Sequence, residues 1–200
     1  MKTNTASKSA AWYLMLFAAI GVSAYALAMG FAPAMRGGFV ADMVSQTPGA
    51  ALLHFIGGGI VLLAGASQFN KGWRTRYPHL HRWLGRVYVG GVLIGGIAGL
   101  YLAFHAAGGL AARFGFGLLA VLWLISTGLA FWHILKRNIV VHQQWMVRSY
   151  AMTLGAVTLR IWLPLFLMMG VPFEQAYPAI AWLAWVPNLV VAEWVFLRSR

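Results

Sequence analysis

Long apolar runs alternate with short polar stretches along the whole chain. The runs fall at about residues 12–32, 49–68, 84–106, 113–135, 142–169 and 178–197. A hydrocarbon layer about 30 Å thick is crossed by about 20 helical residues rising 1.5 Å each. The runs are too long and too uniformly apolar for the alternating strands of about 10 residues that build membrane barrels. The pattern therefore predicts an all-α fold, a polytopic integral membrane bundle of six transmembrane helices. It forms one domain over 12–198, after a polar tail at 1–11. The first run exceeds the usual 7–15-residue core of a signal peptide and reads as an uncleaved span.

The fifth run is where polar residues interrupt the pattern most. His142, Ser149, Thr153 and Arg160 share one helical face. A straight helix would separate His142 from Arg160 by about 27 Å, or five turns. A charged residue near the centre of a span costs about 2.5–3.5 kcal/mol on insertion scales, so this ridge is expected to face protein, water or a ligand. Arg148 points elsewhere on the same helix, and Glu193 in the sixth run is the only acidic residue inside a span. Their matching depth predicts a structural ion pair between Arg148 and Glu193. Asn188, after the kink expected at Pro187, is placed as a hydrogen-bonding neighbour.

Composition agrees with the pattern. The chain is 61% hydrophobic and 9% charged, with mean hydropathy +0.74, against about 25% charged residues in a soluble domain. It contains no cysteine, which removes disulfides, thiolate metal sites and iron–sulfur clusters. Its net charge of +12 is concentrated in the tails and in two linkers. Lys71, Arg74, Arg76 and Arg82 lie between the second and third runs, and Lys136 and Arg137 between the fourth and fifth. That distribution is a topology signal rather than a nucleic-acid footprint. It predicts both termini in the cytoplasm, with anionic lipids of the bilayer as partners.

Histidines supply the candidate chemistry. His54 lies several residues inside the second run, on a face continued by Gly58, Gly65 and Gln68, and His105 closes the third run on the same side. His79, His81, His133 and His142 gather near the basic edge, where Arg82 and Arg86 also lie. Imidazoles at two levels of a small bundle, beside arginines, are what a b-type haem protein needs for axial ligands and propionates. A histidine at a helix end also serves simply as an interfacial residue, and His79, His105 and His133 fit that role. Gly91, Gly95 and Gly99 allow close approach of a second helix or of a flat macrocycle. Three acidic residues in the whole chain exclude a carboxylate-bridged di-iron site, and no Ser–His–Asp arrangement or phosphate loop is present.

Three segments carry a family likeness: LLHFIGGGIVLLAGASQF from Leu52, PHLHRWLGRVYV from Pro78 and HQQWMVRSYAMTLGAVTLRIWLP from His142. Together with the closing WLAWVPNLVVAEW, they resemble the bacterial domain-of-unknown-function 2306 family of predicted membrane proteins. The resemblance implies a multi-span helical fold in a bacterial inner membrane. It marks His54, His81, Arg82, His142, Trp145, Arg148, Arg160, Asn188 and Glu193 as motif positions, without an activity. A looser likeness is to cytochrome b561-type electron carriers, with quinone as a partner.

Two functional expectations follow. The first is a b-type haem protein exchanging electrons with quinone, with His54 and His142 as metal ligands in separate sites. His105 would complete the outer site and His81 the inner, while Arg160 and Arg82 would bind propionates. The alternative is a non-redox small transporter, or an accessory subunit of a larger membrane complex, with an internal cavity for an anion or lipid headgroup ending at Arg160. Whether the chain is an enzyme is left open by its residues.

Overall fold

The computed structural model describes residues 5–197, with side chains from Ala10 onward. The side chains of Lys2 and Lys8, and the closing Arg198 and Arg200, on which part of the topology reading rests, lie outside that description. The described chain is mostly helical, and the stretches long and apolar enough to span a membrane number six among the described residues. Helix α1 covers Thr5–Phe31, so it begins within the stretch read as a tail. The expected linker up to Pro48 is itself partly helical, with a 3₁₀ turn at Pro33–Met35 and α2 at Gly38–Gln46. Arg36 folds back over the end of α1, donating to the carbonyls of Met29 at 2.7 Å and Gly30 at 3.0 Å. It thereby pairs carbonyls that a helix end leaves open.

Helix α3, Pro48–Gln68, is the centre of the bundle. Half of its apolar window is buried inside the protein, against 22% for that of α1. Its Gly57–Gly58–Gly59 run does not interrupt the helix. Instead, Gly57 lets the backbone of α5 close in: a Cβ there would sit 3.4 Å from the Gly91 carbonyl and from the Gly95 backbone. The glycine stripe of α5 is therefore occupied by α3 itself. Gly65 has a sharper role, because a side chain there would run into the rings of Tyr150 and Tyr88.

Between α3 and α5 lies the short α4, Lys71–Arg76, whose first turn is capped by Asn70 accepting from the Trp73 N–H at 3.0 Å. Helix α5 then runs from Pro78 to Phe104. Proline at the first helical position starts it earlier than hydropathy alone implies. His81, expected just before the third span, thus lies within the helix. Gly108 and Gly109, at φ of 86° and 69°, turn the chain into α6, Gly109–Leu135.

The last two crossings are both broken. The fifth comprises α7, Ile139–Thr153, and α8, Gly155–Met168, separated at Leu154. This corrects the expectation of one straight helix from residue 142 to 169. The sixth comprises α9, Phe173–Leu183, then α10, Val186–Val191, and a closing π-helical turn at Ala192–Leu197. It starts before the expected residue 178.

The breaks meet. Asn188 Nδ2 donates to the carbonyls of Ala151 at 3.2 Å and Ala184 at 3.0 Å, and to Thr158 Oγ1 at 3.1 Å. Thr158 in turn donates to the Ala184 carbonyl. A side chain inserted into the helical ladder is an established cause of a kink. At the partner break, Pro187 removes an N–H from the ladder.

Candidate functional sites at two levels of the bundle

Three polar layers follow one another through the bundle. The first lies at the basic side, where α3 ends and α5 and α7 begin. His142 is held by its Nδ1, 2.8 Å from the Ala130 carbonyl of α6. His81 lies within electrostatic reach of Arg74, His142 and Arg82. Arg82 itself is 3.3 Å from His79 Nδ1 on the surface. Nearby, Arg148 and Glu193 form a two-pronged ion pair, Nε to Oε1 at 2.5 Å and Nη2 to Oε2 at 3.1 Å. The Arg148 guanidinium also lies over the Trp145 ring at 4.6 Å. Glu193 sits in the π-helical turn, so the wider backbone there carries one half of the pair.

The middle layer is a closed network of hydroxyls. Tyr88 Oη lies 2.7 Å from Ser149 Oγ and 2.8 Å from Thr153 Oγ1. Trp123 Nε1 donates to Thr153 Oγ1 at 2.9 Å, and Thr127 Oγ1 lies 2.6 Å from Ser149 Oγ. Tyr150 donates separately to the Leu62 carbonyl at 3.0 Å. Ser149 and Tyr88 are fully buried. Ser149 and Thr153, half of the ridge seen in the sequence, are consumed by this network rather than lining an opening.

The third layer lies in the other half, beyond the Leu154 break. Arg160 donates from Nη1 to the Ala156 carbonyl at 2.7 Å on its own helix, and its guanidinium lies over the Tyr25 ring of α1 at 4.7 Å. Its Nε is buried and has no hydrogen-bond partner, which no other buried side-chain nitrogen or oxygen among the described residues shares. Arg160 also acts electrostatically on the ring of His54. That ring sits on α5, with Nδ1 3.0 Å from the Gly95 carbonyl. Gly99 leaves it room: a Cβ there would stand 2.9 Å from Nδ1.

The hydrogen bonds fix the chemistry of both anchored imidazoles. A carbonyl only accepts, so Nδ1 of His54 and of His142 is the donor. In the neutral ring, Nε2 then carries the lone pair and can accept a proton, accept a hydrogen bond or ligate a metal. Thus His54 lies within electrostatic reach of Arg160, and His81 within reach of His142. His105, in contrast, is exposed and turned onto its own helix, with Nδ1 3.1 Å from the Tyr101 carbonyl and its ring against that of Tyr101. Its hydrogen-bond and ring partners among the described residues differ from those of His54. No group of three or more His, Cys, Asp and Glu side chains capable of holding a metal ion occurs among the described residues.

Tyr25, Tyr88, Trp123, Thr127 and Thr158 were not singled out by sequence. A hydroxyl or indole in an apolar run must find a partner, but the run does not say which helix provides it. Tyr88 carried the best signal, one turn ahead of Gly91 on the face where two backbones meet.

The family model described as predicted membrane protein (DUF2306) matches residues 51–196. Neither the curated proteins nor the solved structures yield a match. The matched stretch runs from α3 into the π-helical turn and contains every polar layer except Tyr25. The chain belongs to this family of predicted membrane proteins.

Proposed function

With membership of that family as the premise, we propose that the protein binds the anionic headgroup of a membrane-borne ligand in its non-basic half, between Arg160, His54 and Tyr25. The observation that carries this reading is the buried, unpartnered Nε of Arg160. An intramembrane cation is costly without a counter-charge, and no carboxylate among the described residues meets this one. Glu193 is engaged by Arg148, while Asp42 and Glu174 are exposed in α2 and the first turn of α9. Nε and the neighbouring Nη present the forked edge that suits a carboxylate or phosphate. His54 Nε2 then accepts from a hydroxyl or N–H on the same ligand. This is a binding function, of a carrier or of a subunit in a larger complex. The basic edge faces the cytoplasm of a bacterial inner membrane, as the positive-inside rule requires.

Native mass spectrometry of protein extracted from its own membranes tests the site. An anionic adduct is expected on the wild type and is lost in Arg160→Gln. Equal adduct occupancy in both proteins overturns the reading.

A second reading is favoured by the inner pair. His142 is oriented by the Ala130 carbonyl, as axial histidines are oriented by their outer hydrogen bond, and His81 is its near neighbour. We propose it as a single b-type haem site at the basic edge, with Arg82 at a propionate and a quinone as electron partner. Protein expressed with ample haem should then show a Soret band that shifts with dithionite and disappears in His142→Ala. A colourless wild type ends this reading and leaves the Arg160 site untouched.

A further inference from the structure

The basic edge holds a second feature, independent of the Arg160 site and an alternative to a haem on His81. A narrow crevice opens where α3, α4 and α5 meet, lined in part by Gln68, Arg74, Tyr77, Leu80, His81 and Leu84. Its floor is fixed by short bonds: Ser67 Oγ donates to the Ala64 carbonyl at 2.7 Å, and Gln68 Nε2 donates to Ser67 Oγ at 3.1 Å. Its outer wall is fixed as well. Asn70 caps α4, and Trp73 packs edge-on against Trp12, with centroids 6.0 Å apart. Trp12 in turn donates from Nε1 to the Ala66 carbonyl at 3.1 Å.

The two basic groups of this crevice are not spent on the protein. Neither the Arg74 guanidinium nor the His81 ring hydrogen-bonds another group among the described residues. Both line the crevice, and His81 lies within electrostatic reach of Arg74 and Arg82. No carboxylate among the described residues pairs with them, and Glu193 is bound to Arg148. Leu80 is 45% exposed and, with Leu84 one turn further along α5, continues the wall from the edge into the apolar part of the span. A cationic pocket at the membrane edge, with an aliphatic track leading inward, has the chemistry of an anion carried on an acyl chain.

We infer that the mouth of this crevice, whose interior of about 10 Å³ holds no more than a water, is a phosphate-binding site for an amphiphile, with Arg74 and His81 donating to the phosphate oxygens and Leu80 and Leu84 receiving the start of the chain. The test uses the full chain in nanodiscs of phosphatidylcholine doped with phosphatidylglycerol. Phosphatidylglycerol retained after detergent extraction is counted by native mass spectrometry for the wild type, Arg74→Gln and His81→Gln. Each variant should retain phosphatidylglycerol about tenfold more weakly, the order expected from losing one charge-assisted hydrogen bond. Arg113→Gln, a basic residue at the opposite edge, should behave as wild type.

Two further arms separate the sources of the phosphate. Displacement by millimolar inorganic phosphate marks the free anion as a sufficient ligand. Resistance to it, with preference for phosphatidylglycerol over phosphatidylcholine, marks the lipid headgroup. Retention equal to wild type in both crevice variants, or equal retention of both lipids with no effect of phosphate, overturns the site. Because Arg160 takes no part, loss of its adduct leaves this result unaffected.

Discussion

Ser149 and Thr153 stand on one side of the Leu154 break and Arg160 on the other, in the same membrane crossing. The first pair disappears into a network in which each hydroxyl has a partner from α5 or α6. Arg160 has an aromatic face and a carbonyl of its own helix, and a buried nitrogen with nothing to bind. Polarity in a span is thus two different things. Where the groups answer one another, they hold helices together, each bond contributing about 0.6 kcal/mol on average and up to about 2. Where they do not, the fold bears a cost that only a ligand relieves.

Substitutions break this contrast in opposite directions. The largest effect is expected at Gly65, where any side chain meets the rings of both Tyr150 and Tyr88. Gly65→Val should cost about 3 kcal/mol through overpacking, read as a lower midpoint in dodecyl sulfate unfolding. Wild-type stability there would show that the tyrosine pair does not order the middle layer. Next, Arg160→Met should raise the stability of ligand-free protein by about 2 kcal/mol, because it removes an uncompensated charge, while abolishing the anionic adduct. A destabilised Arg160→Met would place Arg160 with the structural groups instead. The smallest effect is expected for Tyr88→Phe, a loss of about 1 kcal/mol. Ser149 keeps Thr127, and Thr153 keeps Trp123, so the adduct at Arg160 should survive.

The six crossings were legible because their apolar runs are long and the intervening charge is strongly partitioned. The Arg148–Glu193 contact was legible for a related reason: a single acid inside a span has few partners to choose from. The bend at Leu154 was not. Leu154-Gly155 contains no proline, and the side chain that enters the ladder, Asn188, belongs to the next crossing. His81 was placed too shallow because hydropathy marks where a helix becomes apolar, whereas Pro78 marks where it begins. The company of His54 was half visible. Arg160 shared its depth, but the anchoring carbonyl of Gly95 has no signature in a side-chain pattern.

The double break carries a consequence for biogenesis. The Ala151 carbonyl of the fifth crossing is met by Asn188 of the sixth, and the Ala184 carbonyl of the sixth by Thr158 of the fifth as well as by its own Asn188. A lone fifth segment in lipid lacks the Asn188 donor and, as Leu154-Gly155 carries no proline, keeps its ladder there. Pro187, in contrast, interrupts the sixth segment on its own. The break at Leu154 therefore forms only as the fifth crossing docks against the sixth. Arg160 reaches its final surroundings at that late step, once the sixth segment has been made.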